Sequence, residues 1–219
     1  MNLDNIVFAN IAIVNMILRN HIISVYNNYL ETIKLSNKSK ELGLSARHPN
    51  FPSEISEYLA KRSLMKAWNL DENEITKKKK QSGDLVINYS SNIFHKIEVK
   101  CFSSNGPISF GPTEYWDYLM LIDARQNKRS GSESIGSESI GSESIGSESN
   151  GWDNLFYVYL VDSDSDSPII KNIKVNKKET FADHCKQKRR PRIRPNELIK
   201  QLENNIKILE RNTLVEIIK

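Results

Sequence analysis

Cysteine is nearly absent from this 219-residue sequence: Cys101 and Cys185 are the two present, and they lie far apart. They can build neither a disulfide framework nor a four-ligand zinc site, so a reducing, intracellular compartment is expected. Long hydrophobic runs are lacking as well. The most apolar stretch, residues 6–18, is interrupted by Asn10 and Asn15 and stopped by Arg19, Asn20 and His21. It is too short and too polar to span a bilayer. No export signal is expected, because Asp4 stands where positive charge would be needed and no small-residue cleavage site follows. A disulfide-stapled secreted domain and a membrane partner are thereby excluded from the expectations.

What the sequence does have is positive charge. The formal net charge is +4, yet residues 131–150 hold four glutamates (Glu133, Glu138, Glu143 and Glu148) and no base, which leaves +8 on the remainder. That balance favours a polyanionic partner, although a lysine-rich solvated surface has the same composition. With 38% hydrophobic residues the chain is long enough to bury one full core, and one domain over residues 1–219 is the economical reading.

Apolar residues recur at helical spacing through Phe8, Ile11, Val14, Leu18, Ile22, Val25, Tyr29 and Ile33, which predicts an amphipathic helix or helix pair over residues 6–35. Its asparagine-rich polar face suits core packing or a second subunit. Residues 1–50 thus form an N-terminal helical part. Ser53, after Pro52, reads as the N-cap of a helix running to Trp68. A lysine run at 77–80 follows, then two strand-like segments, 84–89 and 94–102, joined through Ser90-Ser91-Asn92 as a hairpin. Gly111-Pro112 begins a turn or short helix. Residues 118–123 and 154–161 read as buried strands, and 169–175 as a further short one.

Residues 131–150 are four tandem copies of Gly-Ser-Glu-Ser-Ile/Asn. A period of five with low hydrophobicity matches neither helix nor strand, so the repeat is a flexible insertion, an expanded hairpin loop between two strands. It divides a core of residues 53–125 and 152–194, and residues 196–219 are expected to close the chain as an amphipathic helix.

Within His95-Lys96-Ile97-Glu98-Val99-Lys100-Cys101, strand alternation puts Glu98 and Lys100 on one face and Ile97, Val99 and Cys101 on the other. If the two strands pair as a hairpin, Asp84 approaches Glu98 near one end of the sheet. Two carboxylates beside a lysine suit phosphodiester hydrolysis: the oxygens hold Mg²⁺, and the ammonium orients water or stabilises the charge that develops on phosphorus. A lone Glu-X-Lys is also common on a solvated strand face.

The wider pattern is more specific. Gly83-Asp84-Leu85-Val86-Ile87, thirteen residues between Asp84 and Glu98, and Ile97-Glu98-Val99-Lys100, all behind a helix with acidic residues, resemble the PD-(D/E)XK nuclease superfamily, type II restriction endonucleases in particular, over about residues 53–194. Gly83 replaces the proline of the pattern. The resemblance implies an α/β (α+β) restriction-endonuclease-like core, a central mixed β-sheet flanked by helices, with helices at both termini. It implies catalysis by Asp84, Glu98 and Lys100, with Asp84 and Glu98 as ligands of Mg²⁺, which Mn²⁺ can replace. It also implies one more carboxylate from the preceding helix, where Glu57, or Glu54 one turn earlier, matches. Either glutamate equally suits a helix start, where negative charge opposes the macrodipole.

Two segments suit DNA contact. Residues 103–116 follow Lys100 with glycines, prolines and short hydroxyl side chains, and Asn105 and Ser109 are their best polar candidates; a turn packed by Phe110 and Trp116 fits the aromatics as well. Residues 186–194 hold six bases stiffened by Pro191. Of these, Arg192 and Arg194 are expected to read a base and Arg189 and Arg190 to clamp phosphates. A solubilising or localisation patch has the same composition. The expectation is a type II-like restriction endonuclease acting on double-stranded DNA as a homodimer. A repair, recombination or junction-resolving nuclease with the same centre, or a non-catalytic DNA-binding protein, would carry much the same features.

Overall fold

The computed structural model describes residues 3–77, 83–90, 93–127 and 154–218, with side chains for 13–77, 83–88, 94–125 and 154–218. Most of the lysine run, the 91–92 turn and the 131–150 repeat lie outside the described residues. In chain order the elements are α1 (Leu3–Glu41), α2 (Ser53–Trp68), β1 (Ile75–Thr76), β2 (Leu85–Ser90), β3 (Ile93–Phe102), β4 (Ile108–Ser109), β5 (Tyr118–Asn127) and β6 (Leu155–Val161). They continue with α3 (Pro168–Lys171), α4 (Phe181–Lys186), β7 (Arg192–Ile193), α5 (Pro195–Gln201), β8 (Ile206–Thr213) and α6 (Leu214–Ile217). Six strands form one mixed sheet in the order β1-β2-β3-β5-β6-β8, in which β3 and β5 are parallel and every other pair is antiparallel. The helix-flanked mixed sheet expected from the sequence is therefore present.

Alternation along the central strands feeds two cores. Ile97 and Val99 of β3, Met120 and Ile122 of β5, and Phe156 and Val158 of β6 face α1, α2 and α6. Ile55, Leu59 and Leu64 supply the α2 side of this layer, and Tyr26 and Tyr29 of α1 close it against Phe51 and Phe156. Offset and edge-on aromatic pairs of this kind add directional contact to the area they bury. Leu119 and Leu121 on the opposite face pack with Phe102, Phe110, Trp116, Phe181, Ile193 and Leu198. The central strands are thus apolar on both sides, as strands buried under two layers must be.

The N-terminal periodicity yields a single helix, α1, rather than a pair. Ile22 and Tyr26 are buried, whereas Ile13, Val14, Met16 and Ile17 near its start are 50–61% exposed. Among the described residues no helix is long and apolar enough to cross a membrane. β5 and β6 pair antiparallel through Leu119↔Val161 and Asn127↔Leu155, so the chain between them connects two neighbouring strands.

Three local expectations are corrected. The long C-terminal helix is instead α5, β8 and α6: Ile206–Thr213 pairs with the whole of β6, from Leu155↔Thr213 to Val161↔Ile206. Without it β6 would be an open edge, and the pairing satisfies backbone groups that a helix would leave exposed there. The 169–175 strand is replaced by the helical turn α3, where Ser167 caps by accepting from the Ile170 amide and Pro168 occupies the first turn. At α2 the N-cap is Pro52, with no side-chain cap, because Ser53 is already helical and accepts at its carbonyl from the Ser56 hydroxyl at 2.9 Å.

The entry into β2 depends on Gly83, whose φ is +90°. A Cβ at this position would stand 3.2 Å from Lys96 Cβ and 3.3 Å from the Ile97 carbonyl oxygen. Proline, locked near −65°, cannot adopt the conformation at all. Replacing Gly83 with alanine is expected to cost about 1–3 kcal/mol, the usual strain of a non-glycine residue at such a φ, and Gly83→Pro more. Urea denaturation of the two variants measures this; wild-type stability in Gly83→Pro would show that the turn can be rebuilt.

Candidate active site

Asp84 leaves this turn and lies against the middle of β3. Its amide donates to the Ile97 carbonyl at 2.8 Å, and its Oδ2 accepts from the Val99 amide, also at 2.8 Å. The carboxylate thereby brackets Glu98 from the neighbouring strand, as the hairpin reading expected. Glu98 and Lys100 share the face of β3 that carries Phe102, above the second core. Glu98 is 4% exposed, and its Oε1 lies 2.5 Å from Lys100 Nζ. Burial pushes the Glu98 carboxyl up to about 7, against the opposing pull of the Lys100 charge and hydrogen bond; Asp84 and Glu114 add to the rise. Burial alone would lower the Lys100 ammonium, but Glu98, then Glu114 and Asp84, hold it above its ordinary value.

Glu98 thus feels the charges of Asp84 and Glu114 as well as that of Lys100. Glu114 is not marked by its sequence. Its Oε2 accepts from the Gly111 amide at 2.7 Å and lies 3.6 Å from Lys100 Nζ. The one available signal is a glycine with a carboxylate three residues on in a Gly-Pro turn, a spacing that lets a side chain cap a backbone amide. Lys100 Nζ also sits 5.5 Å from the centroid of the Phe110 ring, within cation–π reach.

Glu57 is placed differently from Glu114. Its Oε2 pairs with Lys77 Nζ at 2.5 Å, and Lys77 is held above its ordinary value by that hydrogen bond first, with Asp84 and Glu54 contributing through their charges. Among the described residues no group of three or more His, Cys, Asp and Glu side chains is gathered as a ready metal shell. A hard divalent cation does not need one: one or two carboxylates suffice when water and substrate phosphate complete the coordination. Asp84, just before β2, and a largely buried Glu98 on β3 are oxygen donors that fit that requirement.

The two segments expected to touch DNA meet each other. β4 and β7 form a two-stranded ribbon through Ile108↔Ile193 and Ser109↔Arg192, and the Phe110 amide donates to the Pro191 carbonyl at 3.0 Å. Ile193 is buried at 1%, while Arg190, Arg192 and Arg194 are exposed. Arg189 is ion-paired to Glu179, whose carboxyl is drawn down to about 2 by hydrogen bonds from Asn176 and then Arg189. The Ser109 hydroxyl is buried and, among the described residues, has no hydrogen-bond partner. Asn105 accepts at Oδ1 from Arg125 at 2.7 Å, and so does Asn196 of α5. Arg125 in turn grips the buried Asp123 through 2.9 and 2.6 Å bonds. Arg125 and Asn196 therefore fix the loop that carries Asn105, but nothing local in the sequence marks them.

No curated protein and no solved structure matches the chain. A protein family does, over residues 17–149 and 145–202, the first span taking in β2, β3 and the Glu114 loop and the second the basic ribbon strand. Across these spans, which take in most of its length, the chain belongs to the Bsp6I restriction endonuclease family.

Proposed function

We propose that this restriction endonuclease is a type II enzyme with a PD-(D/E)XK centre, hydrolysing phosphodiester bonds of double-stranded DNA at a specific short sequence. The observation that carries the reading is the Asp84 carboxylate anchored on the Val99 amide at 2.8 Å, beside Glu98 and Lys100 on the neighbouring strand. Asp84 and Glu98 would hold Mg²⁺ or Mn²⁺. A cation held there supplies Lewis acidity and lowers the pKa of coordinated water. Lys100 places a fixed positive charge where the scissile phosphate gains negative charge, and burial of that charge strengthens the interaction. The exposed Arg190, Arg192 and Arg194 on the ribbon beside Lys100 hold the duplex in register. A homodimer gives each DNA strand its own centre, and the exposed apolar start of α1 supports self-association.

Asp84→Ala, Glu98→Ala and Lys100→Ala are each expected to cut a defined plasmid at under about 1% of the wild-type rate while binding DNA in Ca²⁺. Substantial cutting by any one of them removes that residue from the centre. Discrete fragments from the wild type support site-specific restriction, preference for branched DNA supports a junction-resolving enzyme, and binding without scission supports a DNA-binding module.

A pH dependence follows from Glu98. Its carboxyl, lifted to about 7 by burial, must lose a proton to act as a ligand, so single-turnover cleavage should rise with pH up to about 7 and then level off. The sign for stability is opposite. The folded chain keeps a proton that the unfolded chain has lost, so stability falls as pH climbs from the ordinary carboxyl range towards 7, and Glu98→Gln should abolish that fall in urea denaturation. A metal-free wild type whose stability does not fall over that range refutes the raised Glu98 carboxyl.

Alanine substitutions separate the arginines. Loss of a phosphate contact at Arg190 should weaken all duplexes alike and reduce the salt slope by about one. Loss of a base contact at Arg192 or Arg194 should cost roughly 1–3 kcal/mol at the cognate site and little elsewhere. Arg189, already paired with Glu179, should change affinity least. Equal weakening of cognate and scrambled duplexes by all of them leaves the ribbon an electrostatic clamp without base readout.

A further inference from the structure

Lys100 has one partner it must share. If Glu98 gives its carboxylate to a cation, the ammonium 2.5 Å away loses the charge that holds it, and a lysine has enough rotatable bonds to swing out of the site. The side chain nevertheless has two other neighbours, both from the loop that follows β4. The Phe110 ring lies 5.5 Å from its Nζ and the Glu114 carboxylate 3.6 Å away. Glu114 is itself held, since its Oε2 accepts from the Gly111 amide at 2.7 Å. Gly111 is the cradle for this arrangement: a Cβ there would collide with the carboxyl carbon and Oε1 of Glu114. A side chain laid over a bare backbone amide, with 33% of its surface exposed, is not explained by core packing.

We propose that Glu114, seated on Gly111, is a positioning residue that anchors the Lys100 ammonium when Glu98 is engaged elsewhere, keeping it aimed at the reacting phosphate. The proposal rests on Asp84, Glu98 and Lys100 being the catalytic centre. It also makes the recognition ribbon part of the active site: Phe110 under Lys100 is bonded through its amide to Pro191 in the basic segment.

Three variants test it. Glu114→Ala removes the carboxylate, Glu114→Gln keeps an oxygen for the Gly111 amide but removes the charge, and Gly111→Ala keeps the charge but displaces it. Glu114→Ala and Gly111→Ala should each lower the single-turnover cleavage rate by roughly 10²-fold, the scale of a misplaced catalytic group, with DNA affinity in Ca²⁺ unchanged. Glu114→Gln should fall between them and the wild type. A second readout needs neither DNA nor metal: trace acetylation of the folded protein by acetic anhydride, mapped by mass spectrometry, in a Glu98→Gln background that frees Lys100 from the Glu98 charge. Lys100 should react faster when each of the three substitutions is added to Glu98→Gln than in Glu98→Gln alone, while the other lysines keep their rates. If Gly111→Ala does not fold, as judged by circular dichroism, the two Glu114 variants carry the test. A wild type that cuts no DNA defeats the nuclease reading, and the acetylation rates then decide by themselves whether Glu114 holds Lys100. Wild-type cleavage in Glu114→Ala, or a Lys100 reactivity that adding Glu114→Ala to Glu98→Gln leaves unchanged, overturns the proposal.

Discussion

A carboxylate and an ammonium stand next to each other on one buried strand, Glu98 4% exposed and Lys100 bound to it at 2.5 Å, and much of the surrounding structure serves to keep them there. Taking such a pair out of water costs several kcal/mol per ion before their attraction returns any of it, and apolar residues of the same size would often be more stabilising. Nothing in the folding of β3 calls for the pair, since Leu119 and Leu121 on the adjacent strand show what an apolar second face looks like. The charges are held there at a cost to stability.

Three constraints hold the pair in place. The Asp84 carboxylate fills the step between Ile97 and Val99 from the β2 side, which only the left-handed turn at Gly83 permits. Asp117 performs a similar service at the other neighbour: its Oδ2 accepts from the Lys96 amide at 2.7 Å and its own amide donates to the Lys96 carbonyl at 2.8 Å. This fixes the register of β5 along β3. From the second core, Phe110 and Glu114 meet Lys100. Strand, neighbouring strand and overlying loop each fix a different side chain, so the site does not depend on any one flexible segment.

The frame of this arrangement is readable in the sequence because alternation is strong where strands are long. The segments 84–89, 94–102, 118–123 and 154–161 each lie within or closely match a strand of the sheet, and the hairpin that joins Asp84 to Glu98 follows from their spacing. The two-residue strands β1, β4 and β7 have no period to detect and exist only through their partners. β8 reads as a helix because Leu198, Leu202, Ile206 and Leu209 fit a helical stripe as well as Ile206, Ile208 and Glu210 fit a strand; the open edge of β6 decides between them. Glu114 has the same limitation at the level of the site. A glutamate in a Gly-Pro turn carries no mark of function until the fold sets it against Lys100 on an earlier strand.

The parallel pairing of β3 and β5 explains why the basic ribbon and the Glu98–Lys100 pair share a loop. Parallel neighbours cannot be joined by a tight hairpin, so the chain must leave the end of β3 and travel back to the start of β5 before continuing. Here the return path is residues 103–117, and instead of a long helix it carries β4, which pairs with β7 from the basic segment. The path would be loose without anchors, and Arg125 provides one at its start. Its guanidinium lies over the Phe102 ring, holds buried Asp123, and donates to Asn105 on the return path and Asn196 at the head of α5. Five donors in a rigid fork are suited to such a junction, where lysine would satisfy one partner at a time. The exposed arginines are therefore carried on a ribbon fixed at both ends, one end at Arg125 and the other at Phe110 beneath Lys100, so their position relative to the Glu98–Lys100 pair is set by backbone rather than by flexible side chains.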